Sequence, residues 1–354
     1  MSSLVAVKIK TIRDGRSHGW QMGTKISFFY LAAIVSFGVT ACTSARAQSG
    51  TLASFATPPA TTAENIYPTT TEILAENTNL NIVFYSERDG DAEIYLMNPD
   101  GSHQRPITDN NADDFSPVWS PDHSQIVFES DRDDTQPRTC FPNCNYNLYI
   151  MNADGSGQRQ LTSAPGAEWH ASWSPDGKHL AYTAGDIGFI GGALYIMDMQ
   201  TGQSTLLLGD GFKDVAADWS PEGTQLVFTS YREGTMDIYV MNADGTDIRK
   251  LYGTNLQEYG PEWSPDGNRI LFYVFDLPAI KQDIYVMDAD GSNVQNLTNT
   301  AKVVDEAARW SPDGSQILFH TDRDGNFEVY IMNADGSQPV NLTRDRGQDY
   351  CPDW

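Results

Sequence analysis

A pair of short phrases that recur about every 45 residues decides what this chain can fold into. The first reads Ile/Leu/Val-Tyr-x-Met-Asn/Asp, usually followed by Ala-Asp-Gly, and its tyrosines are Tyr95, Tyr149, Tyr195, Tyr239, Tyr285 and Tyr330. The second is Trp-Ser-Pro-Asp/Glu-Gly, at Trp119 (with His123 in place of the Gly), Trp173, Trp219, Trp263 and Trp310, with Trp354 as a sixth copy. Tyrosine spacings of 54, 46, 44, 46 and 45 residues describe one period with one insertion. A unit of this length cannot bury its own apolar face and must stack on its neighbours. Each unit holds four runs rich in Tyr, Val, Ile and Phe, the composition of half-buried strands. In the last full unit, strand A leads into Trp310, and strand B is Gln316 to His320. Strand C is Glu328 to Met332, and strand D is Pro339 to Thr343. Asp-Gly punctuates the A–B and C–D links, where a tight hairpin needs positive φ. Four strands per repeat describe a propeller blade. The repeats begin at strand B (Ile82 to Tyr85) and finish at strand A (Asp349 to Trp354). An open stack would leave both as unpaired edges. The expectation is therefore an all-β, six-bladed β-propeller of four-stranded antiparallel blades. Its ring closes where the last strand A joins the first strands B, C and D.

These repeats resemble the TolB-type (WD-like) propeller family over residues 81–354. The resemblance implies an envelope-associated binding module. In the protein that gives the family its name an α/β domain precedes the propeller, and residues 43–80 are expected to be too short and too polar to form one. No such docking domain is therefore expected for a partner here.

Charge agrees with an exported protein. Residues 1–47 hold six bases and one acid, whereas the remainder carries 46 acids against 17 bases, a balance of −29. A body this acidic is a poor match for phosphate, so no nucleic-acid partner is expected, and membrane contact is expected only through a lipid anchor. From Ile26 to Ala41 runs an apolar stretch preceded by Lys25. At sixteen residues it suits a signal-peptide core rather than a membrane span. The Val39-Thr40-Ala41-Cys42 sequence resembles a lipobox, which implies lipidation at Cys42. Cleavage after Ala45-Arg46-Ala47 is the competing reading. Residues 1–41 are thus read as a signal peptide, with Met22 as an alternative start. Residues 42–80, rich in Ser, Thr, Ala and Pro, are read as a flexible linker. The protein is expected in the periplasm or at the cell surface, as a monomeric lipoprotein.

Binding usually sits on the individual loops of a rigid scaffold. The B–C and D–A links share one face and are irregular. The largest, Asp133 to Asn145, contains Cys140 and Cys144, expected to pair as a disulfide after export. The third B–C link (Gly185 to Gly192) and the fifth (Phe275 to Lys281) carry apolar residues that either face a ligand or pack down on the blades. Cys351, in the closing strand, reads as a buried free thiol. Five residues before every repeat Trp stands a carboxylate: Asp114, Glu168, Asp214, Glu258, Asp305 and Asp349. Such a ring of oxygen ligands near a channel mouth suits Ca²⁺. The alternative is that each carboxylate caps backbone N–H groups or pairs with Arg88, Arg132, Arg232 or Arg323 of the Ser/Thr-x-Arg-Asp/Glu links. Asp288-Ala-Asp290-Gly291 lacks the flanking helices and twelfth-position Glu of an EF-hand and reads as a hairpin turn. His170 and His320 read as packing residues. No nucleophile elbow, zinc-protease motif, phosphate loop or dinucleotide fingerprint occurs. The leading expectation is a non-catalytic binding or scaffold module of the cell envelope, taking a protein or glycan on the irregular face. The alternative is a metal-assisted lyase or hydrolase with its site at the channel mouth.

Overall fold

The computed structural model describes residues 81–134, 145–164, 166–185 and 192–354. The signal-peptide and linker readings, Cys42, the Cys140–Cys144 pair and residues 186–191 of the third B–C link lie outside these residues. The described chain forms six four-stranded antiparallel sheets arranged as a β-propeller, and no helix occurs among the described residues. The innermost strands A, in blade order 1 to 6, are Asp349–Asp353, Asp114–Trp119, Ala167–Trp173, Asp214–Trp219, Gln257–Trp263 and Asp305–Trp310. Blade 1 is completed by Ile82–Ser86, Glu93–Met97 and Arg105–Pro106. Its register, Val83 opposite Asp353 and Ser86 opposite Asp349, closes the ring across the two ends of the repeat array. Four of the outermost strands have two residues each: strand D of blade 6 is only Val340–Asn341, against the five residues expected.

The core lies between blades. Strand B of blade 1 is buried at all five positions because both of its faces are covered, one by each neighbouring blade. Phe84, Phe128, Phe228, Phe272 and Phe319 occupy the same position in five blades and are essentially inaccessible. The Trp-Ser-Pro-Asp-Gly phrase is a self-contained turn. Ser120 Oγ donates to Asp122 Oδ1 (2.7 Å) and accepts the Gln125 N–H (3.0 Å). Ser174, Ser264 and Ser311 repeat the arrangement.

The glycine of the C–D turn has a second reason to be there. Gly155 and Gly291 have φ of 89° and 88°, and a Cβ at either would stand 2.4 Å from a carbonyl oxygen of the preceding blade, Ile107 or Leu251. Blade stacking thus brings backbone against backbone at this point. Replacing Gly291 with Ala is expected to cost about 2 kcal/mol, combining unfavourable φ with a displaced neighbour. A urea midpoint unchanged from the parent would contradict this account.

Candidate functional site

The six carboxylates start the innermost strands and are sealed from solvent, each 1% exposed or less. They are six separate contacts rather than one ligand set. Asp349 pairs with Arg88 (2.9 Å), Asp114 with Arg132 (2.9 Å), Asp214 with Arg232 (3.0 Å) and Asp305 with Arg323 (2.9 Å). Each guanidinium lies over the repeat Tyr of its own blade, 4.4 to 5.1 Å from the ring centre of Tyr95, Tyr149, Tyr239 or Tyr330. The Tyr phrase and the Arg link are therefore two halves of one packing unit. In blades 3 and 5 a Glu stands in place of Asp. There Glu168 accepts from the Thr162 hydroxyl (3.2 Å), and Glu258 from that of Thr254 (2.5 Å). Burial pushes Glu168 up to about 7 and raises Glu258. Among the described residues no group of three or more His, Cys, Asp or Glu side chains is arranged to hold a metal ion.

Two residues further along every strand A the chain turns left-handed. Ser116, His170, Ala216, Gly260, Ala307 and Cys351 have φ between 45° and 55°. Each falls where the A–B ladder slips register, so the strand bulges around the axis. A bulge frees an N–H from the ladder, and a buried donor needs a partner. In four of the six blades the preceding blade supplies it from strand B. The N–H groups of His170, Ala216, Gly260 and Cys351 donate to Glu129 Oε1 (3.0 Å), Thr183 Oγ1 (3.2 Å), Thr229 Oγ1 (3.2 Å) and His320 Nδ1 (3.2 Å). Because His320 Nδ1 accepts, its Nε2 carries the proton and donates to Glu306 Oε1 (3.1 Å). His320 is thus a polar brace between blades as well as a packing residue. Cys351 is buried but is not a free thiol, since it is disulfide-bonded.

Below the bulges a cavity of about 270 Å³ opens on the axis. Its wall includes the residue immediately before each repeat Trp: Val118, Ser172, Asp218, Glu262, Arg309 and Asp353. These differ from blade to blade although the phrase beside them is constant. Asp218 accepts the N–H of Trp263 (2.9 Å) and the hydroxyl of Ser172 (2.8 Å). Glu262 accepts the N–H of Trp310 (3.1 Å), and Asp353 that of Trp119 (2.7 Å). Arg309 lies 3.3 Å from Glu262 and 3.7 Å from Asp353. Burial, reinforced by the other two acids and opposed by Arg309, pushes Glu262 up to about 8. Burial raises Asp218 and Asp353 as well. Burial, aided by Arg309, holds His170 down at about 3, so its ring is neutral. The cavity is therefore sided, with acids and one guanidinium along blades 4, 5, 6 and 1 and small or apolar groups along blades 2 and 3.

A closed ring with bulged inner strands around an axial pocket of varied lining defines a six-bladed β-propeller. Its repeats are similar to the TolB type: residues 191–276 and 253–354 match the TolB beta propeller domain. It is 27% identical over 200 residues to the Protein TolB homolog of Chlorobium luteolum, covering 47% of this chain and 45% of that protein. It is 30% identical over 105 residues to the Tol-Pal system protein TolB of Alcanivorax borkumensis, covering 29% of this chain and 22% of that one. The chain thus spans less than half the length of these curated relatives. TolB from Acinetobacter baumannii shares the fold with a TM-score of 0.66 and 22% identity, over 77% of this chain and 66% of that one.

Proposed function

We propose that this protein is an exported, lipid-anchored, non-catalytic binding module of the cell envelope, and that its axial cavity receives part of a partner protein. The TolB-type repeat supports the envelope setting. The observation that carries the capture role is the repeat position before each Trp. The Trp-Ser-Pro-Asp/Glu-Gly phrase recurs nearly unchanged, yet the position before it runs through Val118, Ser172, Asp218, Glu262, Arg309 and Asp353 and lines the cavity. Asp218, Glu262 and Asp353 accept the Trp N–H of the next blade, whereas Val118, Ser172 and Arg309 serve no such Trp among the described residues, so blade stacking alone does not set this position. The opposed acidic and apolar sides suit a peptide segment with one polar and one apolar edge.

Two variants of the full chain test this in intact envelopes, by cross-linking followed by mass spectrometry. Arg309→Met removes the cavity's cation, and Ser172→Phe fills it from the opposite side. The expected result is one envelope protein cross-linked to the parent and lost from both variants, each shown by circular dichroism to be folded at the temperature of the cross-linking. An adduct that survives in both would place capture elsewhere on the ring and sink the channel reading.

A further inference from the structure

Beyond the channel, the irregular face has a polarity of its own. Among the described residues six large hydrophobic side chains are exposed, and four of them, Phe212, Tyr231, Leu277 and Ile280, lie in the D–A and B–C links of blades 4 and 5. The strand directions bring these links to one end of the ring. Blade 5 has the longest strands B and C, Arg269–Asp276 and Lys281–Asp288, joined by a tip that reads Leu277-Pro278-Ala279-Ile280. All four tip residues are exposed and all four are apolar. A run of this kind costs solubility and is kept where it contacts something.

Ile280 also has φ of 52°, and it is the one β-branched residue in the left-handed region among the described residues. Asn or Gly would relieve that strain, so stability does not explain the choice of Ile. The charges follow the same sector. Its link carboxylates are engaged: Asp210 pairs with Arg232 (3.4 Å), Glu233 pairs with Lys250 (3.0 Å), and Asp276 accepts the Ala279 N–H (3.2 Å). Lys213 and Lys302 make no ion pair among the described residues, and Lys213 lies 5.4 Å from the centre of the Tyr231 ring. On the same face, the links around blades 1 and 2 carry Asp89, Asp91, Asp109, Asp113, Asp133 and Asp134.

An apolar tip, two exposed aromatic rings on the neighbouring links and two lysines outside any ion pair among the described residues match the chemistry of a lipid–water interface. There hydrocarbon takes Leu and Ile, aromatic rings sit at headgroup level, and ammonium groups meet phosphate. We propose that, against the expectation of membrane contact through a lipid anchor alone, the blade 4–5 edge of the irregular face rests on a phospholipid surface through Leu277 and Ile280, with the acidic blade 1–2 edge turned away from it. This contact is independent of the channel reading.

Hydrogen exchange of the full chain tests it locally, with and without vesicles of phosphatidylethanolamine containing a minor share of phosphatidylglycerol. Exchange at Leu277, Ala279 and Ile280 is expected to slow by at least about threefold when vesicles are added. The Leu277→Ser/Ile280→Asn variant should lose that protection while melting at or above the parent's temperature. Reading the tip amides separates this contact from any lipid binding by residues 1–80. Unchanged tip exchange with vesicles present overturns the proposal, as does protection that persists in the variant. Protection that grows with protein concentration without lipid would assign the edge to a second copy of the chain and overturn it equally.

Discussion

Replacing Arg132 with Met is expected to destabilise the ring by about 2–3 kcal/mol, one of the two largest effects the structure implies. Asp114 is fully buried and Arg132 is its ion-pair partner at 2.9 Å. Removing one partner of a buried pair leaves an uncompensated charge, typically worth about 3–5 kcal/mol. The lower figure applies here because the guanidinium side chain is 22% exposed and partly screened. Two donors also remain to the carboxylate, Ser130 Oγ at 2.6 Å and Asn110 Nδ2 at 2.7 Å. Met keeps an apolar stem over Tyr149, so the loss reports mainly on charge. Adding Asp114→Asn should restore about half of the loss, because an amide needs no counter-ion. Urea unfolding of the parent, both single variants and the double variant completes the cycle. Additive losses would show that the pair is not coupled. The same four proteins in excess chelator distinguish an ion-paired ring from a cation-held one. A chelator-dependent fall in the parent's midpoint would assign the six carboxylates to a metal after all.

The ring was legible because one physical problem is solved six times with the same residues. Trp, Ser, Asp and Gly at fixed spacing mark the turns, and a period of this length has few closed solutions. The carboxylates at the start of strand A were legible as a pattern, and their four arginine partners were legible as candidates. Their division was also written in the chain: Asp stands wherever a Ser/Thr-x-Arg link exists, and Glu where it does not. That correlation becomes meaningful only when the link is seen to fold back over the strand start. The bulges left no such mark. Ser116, Ala216 and Ala307 are left-handed without any of the residues that usually announce it. The cause is tertiary, an inner strand bent around the axis and braced from the preceding blade. The braces Glu129, Thr183, Thr229 and His320 share a position and a role but no chemistry, so a search for sameness passes over them. The channel wall escaped for the same reason. Arg309 and its neighbours sit one residue from the strongest motif in the chain, at a position whose content is its variation.

The buried acids make a further result expected: the protein should be most stable near pH 5 and lose stability as pH rises toward 9. Burial pushes Glu93, Glu129 and Glu168 up to about 7, and Glu262 up to about 8. In the unfolded chain these groups titrate near the ordinary glutamate value of about 4.3. Between that value and the folded ones the native state binds more protons than the unfolded state. Stability therefore falls as pH rises through the window. One pKa unit corresponds to about 1.4 kcal/mol, so even one unit retained by each of the four would remove about 5 kcal/mol by pH 9. The turn aspartates act in the opposite direction at lower pH. Hydroxyl and backbone donors hold Asp122 and Asp266 down at about 2, so their contribution is lost only as pH falls through the range below about 4. Together the two sets place the maximum between them. Urea midpoints from pH 5 to pH 9 at constant ionic strength measure the slope. Glu129→Gln should flatten it, since an amide still accepts the His170 N–H without becoming charged. Glu262→Gln should do the same on the channel side, where the Trp310 N–H needs only an acceptor. A midpoint that climbs from pH 5 to pH 8 would mean that these carboxylates are ionised in the folded ring, compensated by a cation or by water at the axis.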